Sequence, residues 1–343
     1  MNVIIVMSDT LRADHLRCYG NKWIKTPNFD AFAQESMAFD HAVPEALPTI
    51  PVRRAILTGM RVFPFTRQFF SSKDESLVAG ATFLGRPNAL MPGWEPIPWD
   101  LATLPEMLRG QASGYLTLHD SGACRTALIS DTAPYFASPA MNYHRGFEHY
   151  DFIRGHESDA FGVKALAKRL DVDRWLPPHH RNTEMRDIVE KYLANTWAKW
   201  KGEEDHFAPR TFRAAIQWLE DSREAEGPFF LLVDTWDPHE PFDPPEEYVD
   251  LYDPGYDGVE VIMPGYGPWP HKLMSENEIK HTRALYAGKV TMVDRWFGRF
   301  MDKVRELGLL QNTLIIVTSD HGGQLGEHGI WGKCPAAMYN QVM

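Results

Sequence analysis

The apolar residues of this chain gather into four short unbroken runs, and each run ends at an aspartate. They are Val3-Ile-Ile-Val-Met-Ser-Asp9, Thr126-Ala-Leu-Ile-Ser-Asp131, Phe229-Phe-Leu-Leu-Val-Asp234 and Leu314-Ile-Ile-Val-Thr-Ser-Asp320. Runs this short and this rich in Val, Ile and Phe predict strands buried on both faces. A different period lies between them. Short helices are predicted over 103–109 and 211–224. A long one is predicted over 283–307, where Tyr286, Val290, Val293, Phe297, Phe300 and Val304 recur at helical spacing. Strands alternating with helices imply a doubly wound α/β fold, a mostly parallel sheet covered on both sides. Such sheets bind ligands beyond the carboxyl ends of their strands, and all four aspartates fall on that edge. Any one of them is explained by capping the next helix. Four together, one followed by His321, fit an edge that binds metal and anions.

Two stretches break the alternation. Residues 142–205 carry His, Arg, Trp and Glu, as in Tyr143-His-Arg-Gly-Phe-Glu-His-Tyr150 and Trp175-Leu-Pro-Pro-His-His-Arg181. They are expected to form an insertion over the sheet edge, helical from 183 to 200. Residues 243–271 are dense in Pro, Gly and Tyr and predict a long loop. The whole of 1–343 is therefore expected to be one α/β domain.

Composition narrows the function. With 44% hydrophobic and 24% charged residues among 343, the chain is a globular protein with a large core. A formal net charge of −11 argues against nucleic acid or an anionic membrane as partner. No run approaches the roughly 18 apolar residues of a membrane span. Cys18, Cys124 and Cys334 are odd in number and far apart, so neither a disulfide framework nor a Cys-x-x-Cys zinc site is expected. With no basic leader ahead of the first apolar run, the expected location is the cytoplasm.

The chemistry concentrates in two segments. In Thr49-Ile-Pro-Val-Arg-Arg-Ala-Ile-Leu-Thr-Gly59 a hydroxyl residue stands near a predicted helix N-terminus, where N–H groups and the dipole favour negative charge. Arg53, four residues on, could hold both that hydroxyl and a substrate oxygen. In Ser319-Asp-His-Gly322 a strand ends on two metal-competent side chains, Asp320 and His321. Gly322, Gly323, Gly326 and Gly329 let backbone approach closely, and Lys333 could neutralise a tetrahedral anion.

Taken together these segments resemble the sulfatase family of the alkaline phosphatase superfamily, over nearly the whole chain. The resemblance rests on Asp9 in Met-Ser-Asp-Thr-Leu-Arg-Ala-Asp-His-Leu-Arg-Cys-Tyr-Gly20, on Thr49-x-Pro-x-Arg53 and on Asp237-Pro-His-Glu-Pro-Phe242. It continues through Tyr286-Ala-Gly-Lys-Val-Thr-Met-Val-Asp294 and Ser319-Asp-His-Gly to Gly326-Glu-His-Gly-Ile-Trp-Gly-Lys333. It implies a divalent metal held by Asp9, Asp320 and His321, with Thr49 as nucleophile and further ligand. It also implies that Arg53, His239 and Lys333 surround the anionic group of a small ester substrate, with His239 the acid for the leaving group. Asp, His and a hydroxyl suit Mn²⁺, Zn²⁺, Ca²⁺ or Mg²⁺, the first two favoured by the imidazole.

Three departures refine this picture. Members that cleave sulfate esters carry Cys or Ser at the Thr49 position, oxidised to formylglycine, whose hydrate expels sulfate by reforming an aldehyde. Threonine lacks that route, whereas water can attack phosphorus in a phospho-threonine, so phosphate or phosphonate esters are expected ahead of sulfate esters. Asp9-Thr10 replaces a frequent pair of aspartates, and Ser130-Asp131-Thr132 stands where many sulfatases have Lys-x-His. One metal is therefore expected, with a second site built from Asp234 or Asp237 and His239 as the alternative. Asp131 is left as a capping residue. The family pattern also continues into a C-terminal subdomain that this chain is expected to lack, leaving a sheet edge uncovered. Arg67, Trp94, Trp236 and Trp269 are candidate pocket-lining residues. A catalytically degenerate binding protein is the competing reading. For a shared ion, Thr49 must lie within about 8 Å of Asp9, Asp320 and His321.

Overall fold

The computed structural model describes residues 1–62, 93–110, 124–136, 141–157, 159, 161–333 and 338. Arg67 lies outside them. The four apolar runs form strands β1 (Asn2–Ser8), β2 (Arg125–Ser130), β4 (Phe229–Thr235) and β5 (Thr313–Ser319). A fifth strand, β3 (His149–Phe152), completes a parallel sheet of order β3-β2-β4-β1-β5. The segment expected to be a helical insertion thus begins by extending the sheet. Its helix is shorter than predicted, Glu184–Asn195, and starts where the Thr183 hydroxyl accepts the Met185 N–H. His149 and Tyr150 are exposed, so β3 has no apolar pattern by which it could be read.

Alternate residues of the central strands feed two separate cores, which is why their sequences are apolar throughout. On one face Ile4, Val6, Ala127, Ile129, Leu231 and Val233 pack with α1 (Pro27–Gln34), α4 (Glu184–Asn195), α5 (Phe207–Asp221) and the long α6 (Glu276–Glu306). On the other, Ile5, Leu128, Phe230 and Leu232 meet Ile50 and Leu57 of α2 (Thr49–Thr58), Trp94, Ile97 and Tyr143. The predicted helix at 103–109 is α3 (Leu104–Leu108), closed at its start by a Thr103–Glu106 capping box. The α6 helix begins seven residues before its predicted start because Ser275 and Glu278 form a second capping box. β3 and β5 are the two sheet edges among the described residues, and Leu314 and Ile316 on β5 are 47% and 38% exposed.

Strand register sets up the site. Ser8 stands level with Thr235 on one side and Ser319 on the other, and Ser130 level with Asp234. The next residues along β1, β2 and β5 are Asp9, Asp131 and Asp320, while Asp234 is level with Met7, so the four aspartates emerge within two residues of one another at the carboxyl edge.

Candidate active site

Asp9 and Asp320 leave neighbouring strands side by side, both fully buried. Thr10 ties them together. Its hydroxyl donates to Asp9 Oδ1 at 2.6 Å, and its backbone N–H donates to Asp320 Oδ1 at 3.1 Å, which also accepts the His321 N–H at 2.7 Å. To do this Thr10 adopts φ 62°, a left-handed conformation that costs a β-branched residue roughly 1–2 kcal/mol. Close backbone approach helps: a Cβ on Gly323 would sit 2.9 Å from the Thr10 methyl.

Thr49 is the first residue of α2 and is completely buried. Its hydroxyl is contacted from two sides, by Lys333 Nζ at 2.7 Å and by His321 Nε2 at 3.2 Å. His321 Nδ1 lies 2.7 Å from the Gly322 carbonyl, and donation there leaves Nε2 with a free lone pair towards Thr49. Burial, reinforced by the Lys333 charge, pushes the His321 pKa down to about 3, so the ring is a neutral ligand or proton acceptor. Lys333 Nζ also reaches His239 Nε2 at 2.7 Å, while His239 Nδ1 is 2.6 Å from the Glu240 carbonyl. Burial and then Lys333 hold the His239 pKa well below that of a free imidazole. In this arrangement His239 accepts from Lys333, and the proton they share resides on the lysine. Trp236 is buried and packs its ring 4.4 Å from that of His239.

Arg53 differs from expectation. Its Nε and Nη2 form a two-pronged pair with Asp234 at 2.9 and 2.8 Å, and Tyr135 adds a 2.6 Å bond to the same carboxylate. Nη1 binds Asp320 Oδ2, lies 3.1 Å from Asp9 Oδ2 and donates to the Thr49 carbonyl at 3.3 Å. The guanidinium faces three buried carboxylates, and the reason is electrostatic: without a counter-charge their burial would be prohibitive. Asp131 is neither metal ligand nor helix cap. It accepts the Trp236 N–H and the Thr211 and Thr235 hydroxyls, clasping the chain as it leaves β4, and burial raises its pKa to about 8. Trp94 lies in the core on the far side of the sheet from α6, and the Trp269 side chain is outside the described residues.

Among the described residues, Asp9, Asp320 and His321 are the group whose ligand atoms, all within 4.8 Å of one another, can hold a metal ion. The donor set fits. Asp9 Oδ2 is a buried carboxylate oxygen that accepts no hydrogen bond and has the Arg53 guanidinium 3.1 Å away as its cation, yet burial and the neighbouring Asp320 still raise the Asp9 pKa, the mark of a carboxylate short of cationic charge. The alternative second site does not assemble as expected. Asp234 is occupied by Arg53, and Asp237 is paired with Lys289 Nζ at 2.5 Å. Of the residues now seen in the site, sequence reading passed over Thr10 as a ligand clamp, and also Tyr135 and Lys289. Only the position of Thr10, directly after Asp9, could have marked it.

A parallel α/β sheet with its acids, imidazoles and hydroxyl gathered at the carboxyl edge defines a chain of the alkaline-phosphatase type. The sulfatase family model matches residues 1–341, and the chain belongs to that family. It is 27% identical over 358 residues to an arylsulfatase of Clostridium perfringens, covering 97% of this chain and 65% of that protein. It is 26% identical over 374 residues to a multifunctional alkaline phosphatase superfamily protein of Trinickia caryophylli, again covering 97% and 65%. The crystal structure of a phosphonate monoester hydrolase of Agrobacterium radiobacter superposes with a TM-score of 0.62 at 21% identity, covering 99% of this chain and 66% of that one. The chain therefore spans less than two thirds of the length of these two relatives.

Proposed function

We propose that this protein is a metal-dependent ester hydrolase in which Thr49 is the nucleophile, acting on a small anionic ester, with phosphate or phosphonate esters preferred to sulfate esters. The observation that carries the reading is the Thr49 hydroxyl, buried between Lys333 and His321 beside the Asp9–Asp320 pair. Asp9, Asp320, His321 and the Thr49 oxygen would hold one divalent ion. When bound, that ion would lower the pKa of the hydroxyl and withdraw charge from a substrate oxygen. Charge supports its presence. When all are ionised, Asp9, Asp234 and Asp320 outweigh Arg53 and Lys333 by one negative charge, which repels an anionic ester. A divalent cation reverses that sign.

This chain's own residues supply the remaining steps. His321 Nε2 can take the Thr49 proton, or leave that lone pair to a metal. Lys333 stabilises charge on the oxygens of the transferring group. The Lys333–His239 contact holds the proton that the departing alkoxide or aryloxide requires: Lys333 Nζ gives it to His239 Nε2, which passes it to the leaving oxygen and leaves Lys333 a neutral amine that still hydrogen-bonds the anion. Arg53 keeps the ligand carboxylates and the start of α2 in place. Water then attacks the Thr49 adduct at phosphorus. Sulfur is disfavoured because threonine cannot eliminate sulfate through an aldehyde. Proteins of this fold include one named as a phosphonate monoester hydrolase.

Rates on p-nitrophenyl sulfate, phosphate monoester, phosphate diester and phenylphosphonate test the preference. For Thr49→Ala, kcat is expected to fall on the order of 10³-fold or more with the far-UV spectrum unchanged. Retention of the wild-type rate would remove Thr49 from the mechanism. A second reading, a degenerate binding protein, draws on Arg53, whose guanidinium already spans Asp9 and Asp320 where a cation would lie. Metal analysis of the purified protein decides between them, since a hydrolase retains one divalent ion per chain and a scaffold retains none.

A further inference from the structure

The loop that carries His239 is held from behind by a buried ammonium that the reaction itself does not use. Lys289 lies in the middle of α6 and is 1% exposed. Its Nζ pairs with Asp237 Oδ1 at 2.5 Å and Asp243 Oδ1 at 3.3 Å, and donates to the carbonyls of Pro241 at 2.8 Å and His239 at 3.3 Å. All four partners belong to residues 237–243, so one cation gathers both ends and the middle of the loop. Other anchors act around it. The Ser8 hydroxyl donates to the Asp237 carbonyl at 2.6 Å, and the Ala208 N–H to Asp237 Oδ2 at 2.9 Å. Asp243 Oδ2 accepts from the Tyr192 hydroxyl at 2.7 Å and the Trp197 indole at 2.9 Å. Helix α4, which bears Tyr192, is thereby tied to the same loop.

Burying an ammonium is unfavourable unless it is fully paired, and a well-packed apolar side chain of similar volume usually serves stability as well. What an apolar residue cannot do is hold two backbone carbonyls at fixed points. With the His239 and Pro241 carbonyls drawn to Lys289, the His239 ring is left with Nδ1 on the Glu240 carbonyl and Nε2 on Lys333.

We propose that Lys289 is a positioning residue for His239, fixing the backbone on both sides of Glu240 so that the imidazole meets Lys333 and the leaving-group oxygen. This rests on the reading of His239 as the leaving group's proton donor. Lys289 touches neither ester nor metal ligand, so its influence on rate passes through His239 alone.

The test compares kcat on aryl esters of decreasing phenol acidity, with p-nitrophenyl at one end and phenyl at the other. His239→Ala, Lys289→Met and Lys289→Met/Asp243→Asn are assayed beside wild type; the double variant removes one carboxylate with the ammonium so that the fold is not left with two unpaired charges. The expected result is that His239→Ala and both Lys289 variants slow the phenyl ester roughly tenfold or more beyond the p-nitrophenyl ester, with Lys289→Arg recovering part of the loss. Equal slowing across the series in the Lys289 variants, while His239→Ala keeps its leaving-group dependence, would assign Lys289 to stability and overturn the proposal. So would failure of both Lys289 variants to fold, judged by circular dichroism. If His239→Ala itself shows no such dependence, the proton-donor reading falls and takes this one with it. Wild-type protein inert on the whole series would reject the hydrolase reading itself.

Discussion

At the scale of single residues, Thr10 shows how stability is exchanged for geometry. Left-handed backbone suits glycine and strains threonine, yet only a side chain with a hydroxyl can bond Asp9 while its own N–H bonds Asp320. Removing the hydroxyl and the strain together separates the two effects. Thr10→Gly is expected to leave fold stability within about 1 kcal/mol of wild type, as read from urea unfolding. Affinity for a divalent ion, measured by calorimetry, is expected to drop roughly 10- to 100-fold, as is usual when a ligand loses its orienting partner. Unchanged affinity would mean that Asp9 needs no such support. Thr49 differs: its hydroxyl is both the proposed nucleophile and a fourth ligand, so its loss is expected to lower rate by a larger factor than it lowers affinity for the ion.

At the scale of elements, the start of α5 carries an acid-sensitive joint. His206 precedes the helix with its ring 4.1 Å from that of Trp200 and edge-on to Trp197, and it is 4% exposed. Burial pushes its pKa down to about 3. The folded protein therefore refuses a proton that the unfolded chain accepts below its ordinary pKa near ~6.5, so stability declines as pH falls from there towards 3. The wild type is expected to lose about 2 kcal/mol more than His206→Gln between pH 7 and pH 5, measured by denaturant unfolding at each pH. Parallel curves for the two proteins would show that the imidazole ionises freely. The long helix offers a second check on local encoding. Ser275→Ala removes half of a capping box and should cost about 1 kcal/mol without shifting the site, whose α6 contacts begin about three turns further on at Tyr286, which donates to the Thr10 carbonyl.

At the scale of the whole molecule, the sheet is asymmetric. Its interior strands are covered on both faces, whereas β5 lies at one edge among the described residues and leaves Leu314 and Ile316 partly in water. Unpaired edge strands with apolar side chains template association. Replacing both with lysine, Leu314→Lys/Ile316→Lys, is expected to shift light scattering towards monomer without loss of metal binding, because both side chains are partly exposed and precede Asp320 by at least four residues. Scattering that does not change would mean that this edge is already protected. Among the described residues no helix is long and apolar enough to cross a membrane.

The chain's own pattern determined the strands that enter both cores, since buried parallel strands must be apolar on every residue, and it determined that their ends carry aspartates. It also marked Thr49, His321 and Lys333, because hydroxyl, imidazole and ammonium are recognisable beside a strand end and a helix start. Strand β3 was illegible because its side chains are exposed and an edge needs no apolar face. The roles of Arg53 and Lys289 were illegible for another reason. A charged side chain declares only its sign in sequence, and which carboxylates it meets is decided by strand order and helix packing across some 180 residues or 50. Tertiary structure alone turned Arg53 inward to Asp9, Asp234 and Asp320, and set Lys289 beneath the His239 loop, since burial makes pairing obligatory and the fold chooses the partner.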